Sequence, residues 1–206
     1  MVYSLVIGIL VSYFLGNLNG AVLISALMHD DVRSHGSGNA GLTNFIRNFG
    51  VGRALYVILI DAGKAVLSCL ACGLLLKPYD MGAAGAALGG LAAMLGHVFP
   101  ALLGFKGGKG ILSGFFVAVV LDWRIGLLIL VVFAIAYSVT KYVSLGSVLG
   151  AAAFGIAFVV CHHDDLIVMI SGIVMALLTI YMHRENIARL LKGQERKTNL
   201  FSRGKK

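Results

Sequence analysis

The chain has 206 residues, of which 59% are hydrophobic and only 13% are charged, and its mean hydropathy is +0.92. A soluble domain carries about 25% charged residues, so this composition excludes an ordinary water-soluble fold and predicts one all-α integral membrane domain over residues 1–206. The net charge of +8 does not indicate nucleic acid as a partner, because the basic residues cluster at the ends of apolar runs. The lipid bilayer is the partner that composition predicts.

The apolar runs predict seven transmembrane helices. In chain order we expect them at about 2–28, 51–76, 81–95, 111–121, 125–140, 143–160 and 166–182, with a basic tail at 183–206. The third is rich in glycine and alanine, which favours close helix packing. The fourth has only 11 residues, whereas a span needs about 20, so we expect a short, tilted or re-entrant helix there.

The distribution of lysine and arginine predicts the orientation. With the N-terminus outside and the C-terminus in the cytoplasm, 14 of the 17 bases lie inside, only Lys77 and Arg124 lie outside, and Lys64 lies within a span. The inside bases are Arg33, Arg47, Arg53, Lys106, Lys109, Lys141, Arg184, Arg189, Lys192, Arg196, Lys197, Arg203, Lys205 and Lys206. By the positive-inside rule this orientation is strongly favoured, and it makes the glycine-rich loops cytoplasmic.

The stretch 96–110, GHVFPALLGFKGGKG, contains five glycines together with Lys106 and Lys109. Successive backbone N–H groups in such a bend form an anion-binding concavity, and a helix beginning near Gly110 would direct its positive end there. The stretch is typical of a phosphate site, but also of a plain interhelical turn with two cytoplasmic lysines. It is not a nucleotide P-loop, because Leu103 stands where that motif needs its first glycine.

The loop 34–47, SHGSGNAGLTNFIR, is a second glycine-rich basic segment on the same predicted face. It supplies hydrogen-bonding side chains, and Arg47 presents a planar fork suited to phosphate oxygens. A solvated loop with Thr43 or Asn44 as a helix N-cap is the alternative interpretation. Two such loops on one face favour a phosphorylated substrate, which needs several convergent donors.

Other polar side chains are candidates for the same region. Ser144 stands at the start of the sixth predicted span, and His183 and Asn186 are three residues apart at the start of the tail, a spacing that places them on one helix face. Asp61 and Lys64 have the same spacing within a span. A charge pair inside a membrane is either functional or a bridge that orders the bundle, and the sequence leaves both open.

We expect neither a metal ion nor a cofactor. His97 heads the central stretch and is a candidate for binding phosphate, and His162 and His163 are interpreted as residues of an outer turn. The histidines, cysteines and carboxylates lack the spacing of a zinc site. No Ser–His–acid set is discernible.

Three segments occur in a fixed order: SGNAGLTNFIR, GHVFPALLGFKGGKG and HRENIARLLKGQE. With these motifs in a seven-span frame, the chain resembles the bacterial glycerol-3-phosphate acyltransferases of the PlsY type, which use acyl-phosphate, over nearly its whole length. It departs from the usual pattern at Asn17-Leu18-Asn19, Leu42 and Ala65, none of which is an expected ligand.

The resemblance implies transfer of the acyl group of acyl-phosphate to the 1-hydroxyl of sn-glycerol 3-phosphate. The products are lysophosphatidic acid and phosphate, in the first step of phospholipid biosynthesis. The resemblance also implies a multi-pass protein of the bacterial cytoplasmic (inner) membrane with a cytoplasmic active site. The sequence leaves the oligomeric state open, with a monomer as one alternative.

The resemblance also assigns roles by position. Ser37, Arg47 and Lys106 would bind the phosphate of glycerol 3-phosphate. The backbone of Gly107 and Gly108, with Lys109, would bind the acyl-phosphate. His97 is placed in the substrate-binding set from its position in the central stretch and not from the resemblance. The residues that line the pocket and orient the attacking hydroxyl are Asn39, Thr43, Ser144, His183 and Asn186, of which Ser144, His183 and Asn186 form the expected catalytic group.

Two other functions and two mechanisms remain open at the level of sequence. A small transporter or channel for an anionic metabolite would also use basic loops, but it predicts polar groups on both membrane faces, and a lipid-binding scaffold predicts neither acyl transfer nor transport. For the transfer itself, the donor's own phosphate is one acceptor of the hydroxyl proton, and His183 as general base is the other.

Overall fold

The structure is a computed structural model that describes residues 1–198; residues 199–206 of the predicted tail lie outside the described residues. Regular secondary structure within 1–198 is entirely helical, which confirms the all-α prediction. The α-helices are α1 Val2–Gly16, α2 Gly20–Ala26, α3 Leu42–Phe49, α4 Ala54–Leu76, α5 Gly82–Val98, α6 Ile111–Leu121, α7 Trp123–Thr140, α8 Val143–Cys161, α9 Leu166–Met182 and α10 Arg184–Leu191. Short 3₁₀ turns occur at Val32–Ser34, Lys77–Tyr79 and Ala101–Leu103.

The seven-span prediction is not confirmed by the described residues. Four helical segments are long and apolar enough to cross a membrane, and the number rises to six if each of two bent helix pairs is one span. The pairs are α1 with α2, bent by 45°, and α9 with α10, bent by 54°. Helix α6 has the predicted bounds, but its 11 residues extend only about 16 Å, roughly half of a hydrocarbon core of about 30 Å. The orientation of the chain in the membrane, with its N-terminus outside, stays a prediction.

The first predicted span is not one continuous helix, because it breaks between α1 and α2. Two asparagines bond the break to the polar loops. The Asn17 Oδ1 atom accepts from the Leu102 N–H at 3.0 Å, and the Asn19 Nδ2 group donates to the Ala40 carbonyl at 2.9 Å. Asn19 also caps α2 by accepting from the Val22 N–H at 3.1 Å. A polar break is tolerated at membrane depth when neighbouring groups satisfy the freed backbone.

Helix α5 lies at the centre of the bundle, in contact with α1, α4, α6 and α9. Its small residues let neighbouring backbones approach, as predicted. A Cβ added at Gly96 would lie 2.1 Å from the Tyr13 carbonyl oxygen of α1, and one at Gly89 would lie 2.4 Å from the Ser68 carbonyl oxygen of α4. Because real Cβ atoms do not come this close, these helix pairs require glycine at the crossing points.

Helix α4 has one apolar face on the outside of the bundle and polar residues on the face that packs inside it. Leu55, Leu59 and Leu74 are 58–66% exposed, whereas Asp61 and Lys64 are 1% and 2% exposed. A charged pair is tolerated within a membrane when it faces the bundle interior and is paired. The buried pair therefore points toward the region where the predicted site residues meet.

Candidate active site

A cavity of about 750 Å³ lies where one end of the bundle meets the polar loops. Its walls come from the loop before α3, the loop between α5 and α6, the beginning of α8, and the junction of α9 with α10. Ten of the twelve predicted site residues line it: Ser37, Asn39, Thr43, Arg47, His97, Gly107, Lys109, Ser144, His183 and Asn186. The two that do not are Lys106 and Gly108.

The wall before α3 is held in shape by one buried side chain. The Asn44 amide donates to the carbonyls of Val32, His35 and Asn39 at 2.9–3.1 Å, and its Oδ1 atom accepts from the Ser37 N–H at 3.1 Å. The alternative interpretation of Thr43 or Asn44 as the N-cap of α3 is wrong, because α3 begins at Leu42 and Gly41 occupies the N-cap position. Asn44 instead fixes the loop that presents Ser37 and Asn39 to the cavity.

The central glycine-rich loop reaches the cavity only in part. Lys106 is exposed. The N–H of Gly108 donates to the His97 carbonyl at 3.1 Å, so this donor is already satisfied within the protein. Gly107 packs against the same carbonyl, which a Cβ there would approach to 2.0 Å. Gly110 has φ +82° at the N-cap of α6, a left-handed conformation that favours glycine. Lys109 is thus the lysine that lies in the cavity wall.

A chain of polar contacts crosses the opposite wall. The Lys109 ammonium donates to the Asn186 side-chain oxygen. The Asn186 Nδ2 group donates to the Glu195 carboxylate at 2.7 Å. Ser144 Oγ and Arg189 Nε donate to the same carboxylate at 2.9 Å and 2.7 Å. Glu195 therefore joins two members of the predicted catalytic group, Ser144 of α8 and Asn186 of α10.

Residues 196–198, after α10, form hydrogen bonds with other segments next to the cavity. Arg47 donates to the Thr198 hydroxyl, and to the Arg196 carbonyl at 3.4 Å. The Thr198 N–H donates to the Lys141 carbonyl at 3.0 Å, and the Tyr137 hydroxyl donates to the Thr198 carbonyl at 3.0 Å. These residues therefore bridge α3, through Arg47, and the turn between α7 and α8.

Lys109 and Glu195 are ionisable groups of the wall with shifted pKa values. Burial lowers the pKa of Lys109, and the nearby positive charges of Arg189 and Arg47 lower it further against the opposing charge of Glu195. Burial raises the pKa of Glu195, but the hydrogen bonds from Asn186, Arg189 and Ser144 outweigh burial and leave the pKa below its usual value. The wall therefore holds a lysine and a carboxylate whose pKa values both lie below their usual values.

The hydrogen bond of His183 fixes which of its ring nitrogens faces a substrate. Its Nδ1 atom lies 2.8 Å from the Thr179 carbonyl oxygen. Since a carbonyl only accepts, the proton is on Nδ1 and the Nε2 atom is an acceptor. A histidine in this tautomer is suited to orienting a hydroxyl group or to taking its proton.

One side of the cavity is apolar and runs along the helices. It is lined from α6 by Leu112 and Phe115 and from α7 by Ile129, Leu130 and Phe133. Burial of an alkyl chain contributes about 0.8 kcal/mol per CH₂. A cavity that joins cationic and hydrogen-bonding groups to an apolar wall fits a reaction between an anionic head group and a fatty chain.

Sequence reasoning missed two polar residues of this site. Arg189 and Glu195 have no predicted role in the site, although Glu195 ends the third motif. Glu195 is nine residues from Asn186 along the chain, too far for helical spacing to pair them. Only the turn after α10 brings its carboxylate back to Ser144.

Comparison with known proteins gives consistent similarities. A family model described as glycerol-3-phosphate acyltransferase matches residues 6–193. A glycerol-3-phosphate acyltransferase of Finegoldia magna is 40% identical over 196 residues, which is 95% of this chain and 96% of its own. One of Shouchella clausii is 38% identical over 202 residues, which is 96% of this chain and 97% of its own.

The fold is similar to a crystal structure of PlsY, an integral membrane glycerol 3-phosphate acyltransferase, in its glycerol 3-phosphate form. The TM-score is 0.85 at 32% identity, and the match covers 97% of this chain and all of that one.

Proposed function

Because the chain belongs to the glycerol-3-phosphate acyltransferase family of the PlsY type, we propose that it transfers an acyl group from acyl-phosphate to the 1-hydroxyl of sn-glycerol 3-phosphate. The products are lysophosphatidic acid and inorganic phosphate. The observation that carries the proposal is the convergence of Arg47, Lys109 and His183 from three separate motifs on one cavity with an apolar wall. A transporter would need a path to the other face, but no residue of the turns after α4, α6 or α8 lines the cavity within residues 1–198.

The two phosphates are assigned to different cations. Arg47 with Ser37 receives the phosphate of glycerol 3-phosphate, and Lys109 with the Gly107 backbone receives the phosphate of the donor. A role for Lys106 in holding glycerol 3-phosphate requires its loop to move, because the side chain is exposed and does not line the cavity. For Arg47 to bind this phosphate, its hydrogen bonds to Arg196 and Thr198 must also break.

The chemical step needs little beyond positioning, since acyl-phosphate is already activated. The hydroxyl oxygen attacks the acyl carbon, the bond from that carbon to the phosphate oxygen breaks, and the hydroxyl proton leaves with the phosphate. The proton passes directly to the donor's phosphate or by way of His183 Nε2. The acyl chain lies along the apolar wall formed by α6 and α7.

The variant His183→Ala separates the two proton routes. If His183 is the base, its loss lowers the rate by about 10²–10⁴-fold with substrate affinity retained, whereas a small effect contradicts the histidine route. His163→Ala is the matched control, because that side chain is 67% exposed in the turn between α8 and α9 and should leave the rate unchanged.

The donor is tested with purified protein, glycerol 3-phosphate and three acyl donors in parallel: acyl-phosphate, acyl-CoA and acyl-carrier protein. We expect lysophosphatidic acid only with acyl-phosphate. Product from either of the other donors at a comparable rate would contradict the donor assignment while leaving the acceptor assignment intact.

A further inference from the structure

Three ionisable side chains form a buried cluster beneath the cavity. Asp61 and Lys64 from α4 and His97 from α5 are 1%, 2% and 4% exposed. The Lys64 ammonium lies 2.8 Å from Asp61 Oδ1 and 2.7 Å from His97 Nδ1. His97 and Asp61 also line the cavity, whereas Lys64 lies behind them.

All three N–H donors of the Lys64 ammonium have a partner. Two partners are Asp61 and His97, and the third is a backbone carbonyl at the break of the first span. Lys64 Nζ donates to the Leu18 carbonyl at 2.6 Å. That carbonyl lies between α1 and α2, and the Gly20 N–H at the start of α2 donates to Asp61 Oδ1 at 3.2 Å. The pair thus satisfies backbone groups that a continuous helix would have bonded internally.

The contact with Lys64 determines the tautomer of His97. An ammonium group has three donors and no acceptor, so His97 Nδ1 must be the acceptor in this hydrogen bond. A neutral imidazole then carries its proton on Nε2. A protonated imidazole would place a second positive charge 2.7 Å from Lys64 Nζ, whereas the neutral form leaves one anion and one cation in the cluster, the less costly arrangement for buried charges.

The Nε2 atom of His97 faces the glycine-rich loop at the cavity. A Cβ built on Gly108 would lie 2.2 Å from this nitrogen, so the ring packs directly against the backbone of that glycine. Within residues 1–198, His97 Nε2 has no hydrogen-bond partner, and the atom is not completely buried. Its N–H is therefore available to a bound molecule.

We propose that Lys64 is a positioning residue that fixes His97 as an Nε2–H donor to an anionic oxygen of the acyl donor. The role rests on the proposed function, since the acyl donor is the molecule assigned to this loop. His183 has the opposite tautomer, with an accepting Nε2 set by the Thr179 carbonyl. The site thereby presents one histidine with a donating Nε2 and one with an accepting Nε2.

The tautomer is measured by NMR of the full-length protein in lipid, with ¹⁵N-labelled histidine. The His97 signals are assigned by their loss in His97→Asn. We expect a protonated Nε2 and an unprotonated Nδ1 in the unmodified protein, and loss of this preference in Lys64→Met. A protonated Nδ1 in the unmodified protein overturns the proposal. That spectrum decides the matter even if Lys64→Met fails to fold, and it requires no enzymatic activity, so it is independent of the proposed reaction.

Kinetics distinguish positioning from mere support of the fold. Lys64→Met should lower kcat with acyl-phosphate by on the order of 10²-fold, the effect of losing one charge-stabilising donor, while the KM for glycerol 3-phosphate stays unchanged. An asparagine amide donates without help from Lys64, so adding His97→Asn to Lys64→Met should restore part of kcat. A double variant no faster than Lys64→Met alone, in folded protein, would overturn the positioning role.

Discussion

The local structure around Lys109 changes the pKa of its ammonium group. Its ammonium lies in the cavity wall, where burial and the charges of Arg189 and Arg47 lower its pKa. It therefore loses its proton at a lower pH than an ordinary lysine with a pKa of 10.5. Lys106, three residues earlier, is exposed and serves as a natural comparison.

We predict an alkaline decline in kcat/KM for acyl-phosphate that reports the titration of Lys109 in the free protein. Lys109→Arg should move the decline beyond the accessible range, because guanidinium stays charged. Lys106→Arg is the control and should leave the pH profile as it was. An alkaline limb that persists in Lys109→Arg would assign the titration to another group.

At the scale of elements, the short tail segment after α10 acts as a clamp on the site. Glu195 joins Ser144 of α8 to Asn186 and Arg189 of α10. Its side chain is only 5% exposed, and the hydrogen bonds keep its pKa low. The stabilisation is therefore present at neutral pH and is lost as the pH falls through that lowered pKa.

Glu195→Gln should destabilise the protein by about 1–3 kcal/mol, the usual cost of disrupting buried hydrogen bonds to a charged group. The measurement is thermal unfolding in detergent at neutral pH. Glu185→Gln removes the same charge from an exposed position of α10 and should have little effect. Equal decreases of the unfolding temperature in the two variants would mean that the loss of a negative charge, and not the loss of the Glu195 hydrogen bonds, accounts for the result.

The crossing of α1 and α5 depends on glycine. Gly96→Ala should separate the helices, because its Cβ would lie 2.1 Å from the Tyr13 carbonyl oxygen, and overpacking of this kind costs about 1–3 kcal/mol. Gly63→Ala, on α4 with nothing within 4 Å of the added Cβ, should be neutral or slightly stabilising. Thermal unfolding of the two variants makes the comparison, and equal stability would contradict the crossing.

The sequence predicts elements better than it predicts breaks between them. The apolar runs gave the bounds of α6 and α9 as the structure has them, since membrane helices are marked by long hydrophobic stretches. The division of the first span was missed, because Asn17 and Asn19 are bonded by partners remote in the chain. Glu195 was missed for the same reason, whereas ten of the twelve residues predicted from motifs line the cavity.

At the scale of the whole molecule, orientation is a prediction from charge, with Arg203, Lys205 and Lys206 among the counted bases outside the described residues. The natural thiols allow a direct test, because Cys69 and Cys72 are buried and Cys161 is exposed. In a Cys161→Ser background, His163→Cys should react with a membrane-impermeant maleimide in intact cells. Ser34→Cys, in the exposed part of the loop before α3, should react only after permeabilisation. The reverse pattern would invert the topology and place the active site outside.

Acyl transfer within one cavity is the central claim, and product stoichiometry in sealed vesicles tests it most directly. Purified protein is reconstituted and supplied with acyl-phosphate and radiolabelled glycerol 3-phosphate, and lipid product, released phosphate and trapped soluble label are measured together. We predict one phosphate released for each lysophosphatidic acid formed, with no accumulation of soluble glycerol 3-phosphate in the vesicles. Uptake of soluble label without lipid product would contradict the account and indicate a transporter.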